Sequence, residues 1–354
     1  MQTPTPKTDP PNLSDLGCRH FFVQQLDPDE LTTHRPVRVL AVHRNGLRVA
    51  GDGIETTIPP FFGGAEDGSG QATVGDWILL DQQGLRGIRL LDRTSLFKRR
   101  APGEGRRTQL IAANVDTLFV TSSCNKDFNI ARLERYLALA READVMPVIV
   151  LTKADQTDTP DEFESAAARL LPNLSVEVLD ARDSNQAARL LPWCGKGQTV
   201  AFVGSSGVGK STLINTLSAG DRIETQGIRE SDAKGRHTTT HREMHRLGAG
   251  GWLLDTPGMR ELQLTDVQSG IDDVFADIAA LARSCRFNDC LHETEPGCAV
   301  QAAIQNDEIE LSRLRRWKKL VAEEARNSAT LAERRASDRA FGKMIKDVTQ
   351  AKGS

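Results

Sequence analysis

The residues best suited to chemistry lie in the run Gly204, Ser205, Ser206, Gly207, Val208, Gly209, Lys210, Ser211. Its G-x-x-x-x-G-K-S spacing follows an apolar stretch, Thr199–Val203, and opens a helical one, as a phosphate-binding loop requires. Glycines let the backbone wrap an anion so that successive N–H groups and the positive end of the helix face it. Lys210 then reaches the terminal phosphates and the Ser211 hydroxyl takes Mg2+, with Thr212 completing the loop's share of the nucleotide site. A second element, Asp255-Thr-Pro-Gly258, ends the apolar run 251–254. It places a carboxylate where it holds Mg2+ through water and the Gly258 N–H where it senses a γ-phosphate. Between them lies the threonine run 238–240; one of Thr238, Thr239 and Thr240 closes over Mg2+, and Thr239 is the candidate carried forward.

The base is read by another element. Thr152, Lys153, Ala154 and Asp155 follow the apolar run 147–151 and resemble the guanine motif N-K-x-D. Its aspartate accepts hydrogen bonds from the N1–H and 2-amino groups of guanine. Adenine offers neither donor, so it would leave a buried carboxylate unpaired. Thr152 replaces the usual asparagine, although its hydroxyl can still tie the loop down. Leu179-Asp-Ala-Arg182 sits where the weaker S-A element would, with the Ala181 N–H offered to guanine O6.

The order of these elements carries information. Ordinary small GTPases place the phosphate loop first and the guanine readers last. Here the readers at 152–155 and 179–182 precede the loop at 204–211, so the GTPase domain is circularly permuted. The segment after Gly258 is thereby joined to the element that senses the γ-phosphate, a geometry suited to a nucleotide-driven lever. Beyond it, Cys285, Cys290, His292 and Cys298 supply three thiolates and an imidazole within fourteen residues, a set that fits one tetrahedral Zn2+. Four protein ligands leave no position for water, so the site is expected to be structural.

The elements that must hold these residues show in the hydrophobic rhythm. Residues 1–36 are rich in Pro, Thr and Asp and read as a largely disordered arm. Short strands at 37–42, 47–50, 77–80 and 88–91, separated by glycine-rich turns, suit a small barrel. Residues 117–121, 147–151 and 199–203 then alternate with helices at 130–143, 160–170 and from Lys210, which predicts a doubly wound parallel sheet. Between residues 86 and 107, Arg86, Arg89, Arg93, Lys98, Arg99, Arg100, Arg106 and Arg107 face only Asp92 and Glu104, a run that favours phosphate contacts. Residues 313–354 carry twelve basic against five acidic residues and form a basic helical tail.

With 354 residues, 39% apolar and 26% charged, the chain can bury a sizeable core, which excludes wholesale disorder. Its apolar stretches fall short of the roughly 18 residues that span a bilayer, and its start lacks a signal-peptide core, so a cytoplasmic protein with no membrane partner is expected. A small-molecule kinase would need an acceptor-binding signature that is not evident. A scaffold with nucleotide as a structural ligand is disfavoured by the intact Lys210, Ser211 and Asp255.

From about residue 37 onward the chain is similar to the RsgA (YjeQ) family of bacterial GTPases. The resemblance rests on Gln109–Asp116, Thr152–Asp155, Gly204–Ser211, Gly235–Thr239, Asp255–Gly258 and the Cys/His cluster. It implies an N-terminal OB-fold β-barrel at 37–105, a circularly permuted α/β P-loop GTPase domain at 106–270 and a zinc-bearing, basic helical domain at 271–354. It further implies that GTP is hydrolysed to GDP and phosphate under stimulation by the small (30S) ribosomal subunit. The chain would then act in late subunit maturation through 16S rRNA and leave when the nucleotide is spent. Met259 stands where other GTPases place the glutamine that orients water, and a thioether cannot do that work. The resemblance points instead to His237, with Arg236 beside it to stabilise charge on the γ-phosphate. A monomer is expected. Thr152, Asp180 in place of serine, and the acidic arm depart from the family pattern.

Overall fold

The architecture was obtained as a computed structural model that describes residues 11–63, 70–83, 85–100, 108–218, 242–255, 259 and 264–329. A helix α1 (His20–Val23) and a helix α2 (Pro28–Thr33) precede the first sheet. Strands β1 (Arg35–His43), β2 (Gly46–Gly51) and β3 (Ile54–Ile58) form an antiparallel meander that turns at Asn45-Gly46. Strand β4 (Trp77–Leu80) pairs with the other edge of β1, and β5 (Gly87–Leu90) with β4. The strand order is thus β3-β2-β1-β4-β5. Val37, Val39, Leu47, Val49, Ile58, Ile78 and Leu80 fill its interior. β6 (Leu96–Arg100) and β7 (Thr108–Ala113) follow as an antiparallel ribbon.

Alternation of β and α then sets in as expected: β8 (Thr117–Ser123), α3 (Ile130–Glu142), β9 (Met146–Thr152), α4 (Pro160–Ala168), β10 (Ser175–Val178), α5 (Ser184–Ala187), β11 (Thr199–Val203) and α6 (Lys210–Leu217). β12 (Arg242–Arg246) and β13 (Trp252–Asp255) complete the sheet in the order β10-β9-β8-β11-β13-β12, parallel except for β12. Nearly every residue of β8, β9 and β11 is buried, as strands covered by helices on both faces must be. The free edge of β12 pairs antiparallel with β1, Val42 opposite Arg242 and Ala41 opposite Glu243, so one 11-stranded sheet runs through both halves. An Arg48–Glu243 ion pair at 2.6 Å crosses this seam.

Two expectations need correction. The arm, read as largely disordered over 1–36, is folded from residue 11. Leu16 is fully buried, Phe22 packs on Trp77, and α2 starts with a capping box between Asp27 and Glu30. Ion pairs Arg19–Asp116 at 2.8 Å and Lys196–Asp15 at 2.6 Å, with Trp252 Nε1 donating to Asp15 O at 2.7 Å, fix the segment to the permuted domain. Single apolar anchors without a period are enough here, because their partners are supplied from distant sequence. The basic run, expected to favour phosphate contacts, is also not wholly available for them. Arg93 Nε lies 2.7 Å from Oδ1 of the fully buried Asp76, and Arg89 pairs with Glu30 at 2.6 Å. These two cations neutralise interior and local carboxylates, while Arg106 and Arg107 lie outside the described residues.

After the sheet come α7 (Gln268–Val274), α8 (Ala276–Ala282), α9 (Ala299–Gln305) and α10 (Leu311–Ser328). α7 lies against α3 closely enough that a Cβ on Gly270 would sit 2.1 Å from Ala138 O. α10 is clamped to α3: Arg316 Nε meets the fully buried Glu134 at 2.7 Å, and Arg313 bridges Glu134 and Asp277. Leu314 and Leu320 of α10 are buried, whereas Leu311 is exposed. The remainder of the basic tail, 330–354, lies outside the described residues.

Candidate functional site

The phosphate loop leaves the C-terminal end of β11 and enters α6. Gly204, Gly207 and Gly209 take φ of 143°, 76° and 93°, values that L side chains rarely adopt. At Gly204 the approach to the neighbouring strand adds a second constraint, since a Cβ there would lie 2.1 Å from Thr121 O. Lys210, 7% exposed, donates from Nζ to Gly204 O at 2.8 Å and to Ser205 O. A buried ammonium seated on loop carbonyls is a fixed positive charge aimed at the bend, where phosphate oxygens would replace or join those acceptors. Ser206, Val208, Ser211 and Thr212 complete the loop and the first turn of α6.

Register places the metal-side carboxylate. Ala201 of β11 pairs with Leu254 of β13, so Asp255 ends its strand directly beside the start of the loop. Ser211 lies in the first turn of α6 and Asp255 at the end of β13; they are the expected Mg2+ pair. Thr238, Thr239 and Thr240, with Arg236, His237 and Gly258, lie outside the described residues. Met259 is 2% exposed and belongs to the main core, so its thioether is a packing group.

The base-side residues are brought to the same end of the sheet. Thr152 closes β9, and its fully buried hydroxyl lies 2.5 Å from Val208 O and 3.1 Å from Ser122 O. It therefore ties the guanine element to the phosphate loop, the service expected of the missing asparagine. Lys153 follows with φ of 59°, and Asp155 lies on a short 3₁₀ turn. Ala181 is held in place from α6, its carbonyl accepting from Thr216 Oγ1 at 2.9 Å.

Sequence reasoning missed two arginines. Arg182 Nη2 reaches Asp155 Oδ2 at 2.7 Å and Asp180 Oδ2 at 3.0 Å, and Arg132 at the start of α3 donates to Ser205 Oγ on the phosphate loop. Arg182 was visible as the last residue of Leu179–Arg182. Arg132 carried no local signal, because its contact spans 73 positions.

The Cys/His cluster forms a separate knuckle between α8 and α9. The ligand atoms of Cys285, Cys290, His292 and Cys298 all lie within 4.8 Å of one another. His292 Nδ1 is 3.5 Å from Cys285 Sγ and 3.5 Å from Cys298 Sγ, and those two sulfurs are 3.9 Å apart. Tetrahedral zinc, with bonds of about 2.3 Å to sulfur and about 2.05 Å to nitrogen, gives edges of about 3.5 Å between S and N and about 3.8 Å between sulfurs. The donor set thus fits such an ion. Burial pushes the His292 imidazole pKa down, which favours the neutral, ligating form. Glu295 accepts backbone N–H groups of Leu291, Glu293 and Thr294 at 2.7–3.0 Å and so closes the turn that presents His292. Cys124 and Cys194, by contrast, are isolated buried thiols raised by desolvation to about 11 and about 12.

A phosphate loop preceded in the chain by the Thr152–Asp155 element, on a sheet of this order, defines a circularly permuted P-loop GTPase. The RsgA GTPase family model matches residues 90–265. The small ribosomal subunit biogenesis GTPase RsgA 2 of Vibrio parahaemolyticus is 50% identical over 96% of this chain and 93% of its own length. The small ribosomal subunit biogenesis GTPase RsgA of Mesorhizobium japonicum is 48% identical over 90% and 91%. Among solved structures, YjeQ from Thermotoga maritima (TM-score 0.61, 22% identity) covers 82% of this chain and 98% of its own. YloQ, described as a circularly permuted GTPase, aligns with a TM-score of 0.56 at 23% identity over 82% and 94%. The chain belongs to the RsgA GTPase family and is a GTP hydrolase.

Proposed function

We propose that this GTPase acts in late maturation of the small ribosomal subunit, hydrolysing GTP to GDP and phosphate when it meets the 30S particle and leaving as the nucleotide is spent. The observation that carries this reading is the match, at 48–50% identity over nine-tenths or more of both chains, to proteins named for biogenesis of that subunit. The strand order β3-β2-β1-β4-β5 of the N-terminal module supports reading it as a partly open OB barrel, a fold that binds oligonucleotides. That module at 37–105, with the basic C-terminal domain at 271–354, would hold 16S rRNA on either side of the permuted domain at 106–270.

In this reading Asp155, Thr152, Lys153 and Ala181 take guanine, residues 204–212 take the phosphates, and Ser211, Asp255 and Thr239 hold Mg2+. Gly258 senses the γ-phosphate, His237 orients the attacking water, and Arg236 meets the charge that develops on the phosphate. Cys285, Cys290, His292 and Cys298 hold one structural Zn2+. The protein works as a monomer in the cytoplasm. Among the described residues no helix is long and apolar enough to cross a membrane.

The test is GTP turnover by the purified protein with and without stoichiometric small subunits at fixed salt, with ATP as control. GTP-selective stimulation is expected, and Lys210→Ala should abolish it. Turnover indifferent to the subunit would refute the proposed partner.

A further inference from the structure

Two carboxylates share the base end of the site. Asp155 is the expected acceptor for guanine, and Asp180 lies on the neighbouring loop in the place where serine is usual. Like charges on adjacent loops repel. The guanidinium of Arg182 lies between them. Its Nη2 is 2.7 Å from Asp155 Oδ2, while Nε and Nη2 grip Asp180 Oδ1 and Oδ2 at 3.1 and 3.0 Å. The Arg182 backbone N–H adds a further bond to Asp180 Oδ1 at 3.0 Å.

This loop is itself anchored. The Asp180 N–H donates to Gln186 Oε1 at 2.9 Å, Gln186 Nε2 is held by Asp183 at 2.9 Å, and Asp183 caps α5. Asp180 is therefore a fixed seat for the guanidinium, and Arg182 presents its remaining donor edge to Asp155. A side chain 65% exposed would otherwise gain little from one ion pair. Bidentate anchoring removes much of the entropy cost of holding it in one place.

We propose that Arg182 is a positioning residue of the guanine reader, using Asp180 as its anchor to fix the Asp155 carboxylate and to cancel the repulsion between the two acids. The inference rests on the reading of Asp155 as the guanine acceptor. A carboxylate offers about four acceptor positions, and Arg182 occupies one, so the N1–H and 2-amino donors of guanine still fit. A serine hydroxyl at position 180 could hold Asp155 directly; with Asp180, which has no proton to give, the donor comes from two residues further on. Hydrogen bonding to Arg182 holds the Asp180 carboxyl below its ordinary range, and the same bond raises the Arg182 pKa, so both charges persist at neutral pH.

Binding of GDP and of IDP, which lacks the 2-amino group, distinguishes the possibilities in the full-length protein. Arg182→Ala should weaken GDP by about tenfold, the worth of one charge-assisted hydrogen bond, and narrow the GDP-over-IDP preference. The double variant Asp180→Ser with Arg182→Ala should recover most of the loss, because the repelling acid is gone and a hydroxyl donor replaces the guanidinium. Unchanged GDP binding in Arg182→Ala would overturn the proposal. So would a loss that Asp180→Ser does not rescue, since Arg182 would then act on the nucleotide itself. Asp155→Asn separates the two levels of the argument: retained GDP preference there would overturn the guanine-reader assignment and this inference with it.

Discussion

At the scale of single residues, Thr152 shows how one hydroxyl can stand in for a larger side chain. Its partner, Val208 O, belongs to the phosphate loop, so removing the hydroxyl both frees the loop and leaves a buried acceptor unpaired. Thr152→Val keeps the shape and should weaken GTP and GDP alike by about tenfold, as titrated with a fluorescent nucleotide. An unaltered affinity would show that the loop is held by its glycines alone. Arg93 makes a second case. Burial raises the Asp76 carboxyl pKa, against the opposing pull of Arg93 and the Thr73 N–H. A carboxyl raised in the fold favours folding below its unfolded pKa, and that contribution is lost as pH rises through the folded value. Arg93→Ala raises it further, so its deficit should be about 3–5 kcal/mol near pH 7 and shrink as pH falls toward about 4. Urea unfolding across that range provides the check, and a deficit independent of pH would contradict the assignment. The glycines, Lys210 and the four metal-type ligands were legible in the sequence because local spacing alone determines their chemistry. The partners of Arg93, Arg132 and Arg182 were not, because each is chosen by chain folding.

Among the elements, those with a strong local period were legible: β8, β9, β11, α3 and the two central hairpin strands stand within a residue or two of expectation. β3, with its alternating exposure, was missed, as were β10 and β12. β12 reads Arg-Glu-Met-His-Arg, a polar sequence that becomes a strand only because β13 and β1 receive it on both sides. The helices α1 and α2 hid for the related reason that they borrow their core from the sheet. The knuckle between α8 and α9 offers the clearest test at this scale. Among its residues Phe287 and Leu291 are exposed, leaving little apolar burial to hold it. Chelation of its metal, or Cys290→Ser, should therefore unfold the knuckle while GTP affinity stays within about twofold, a change read by protease sensitivity at 283–298. Parallel loss of nucleotide binding would mean that the α3–α10 clamp transmits the damage to the phosphate loop.

For the molecule as a whole, the decisive feature is the pairing of β1 with β12. It makes the N-terminal module and the GTPase sheet one continuous hydrogen-bonded surface, with Arg242 buried at the seam and donating to Leu110 O. Motif order revealed the permutation, but nothing local could reveal that a strand near residue 40 is completed by one near residue 243. The same is true of Asp15, which meets Trp252 across 237 positions. Such pairings have a consequence in time. As the chain leaves the ribosome that makes it, the Ala41–Val42 end of β1 is complete some 200 residues before its partner on β12 exists, and at about 5–20 residues per second those two positions stay unpaired on that side for roughly 10–40 s. An unpaired edge strand is a template for pairing with other chains. The newborn protein thus carries a short unpaired stretch on its N-terminal module, and synthesis of β12 is what covers it.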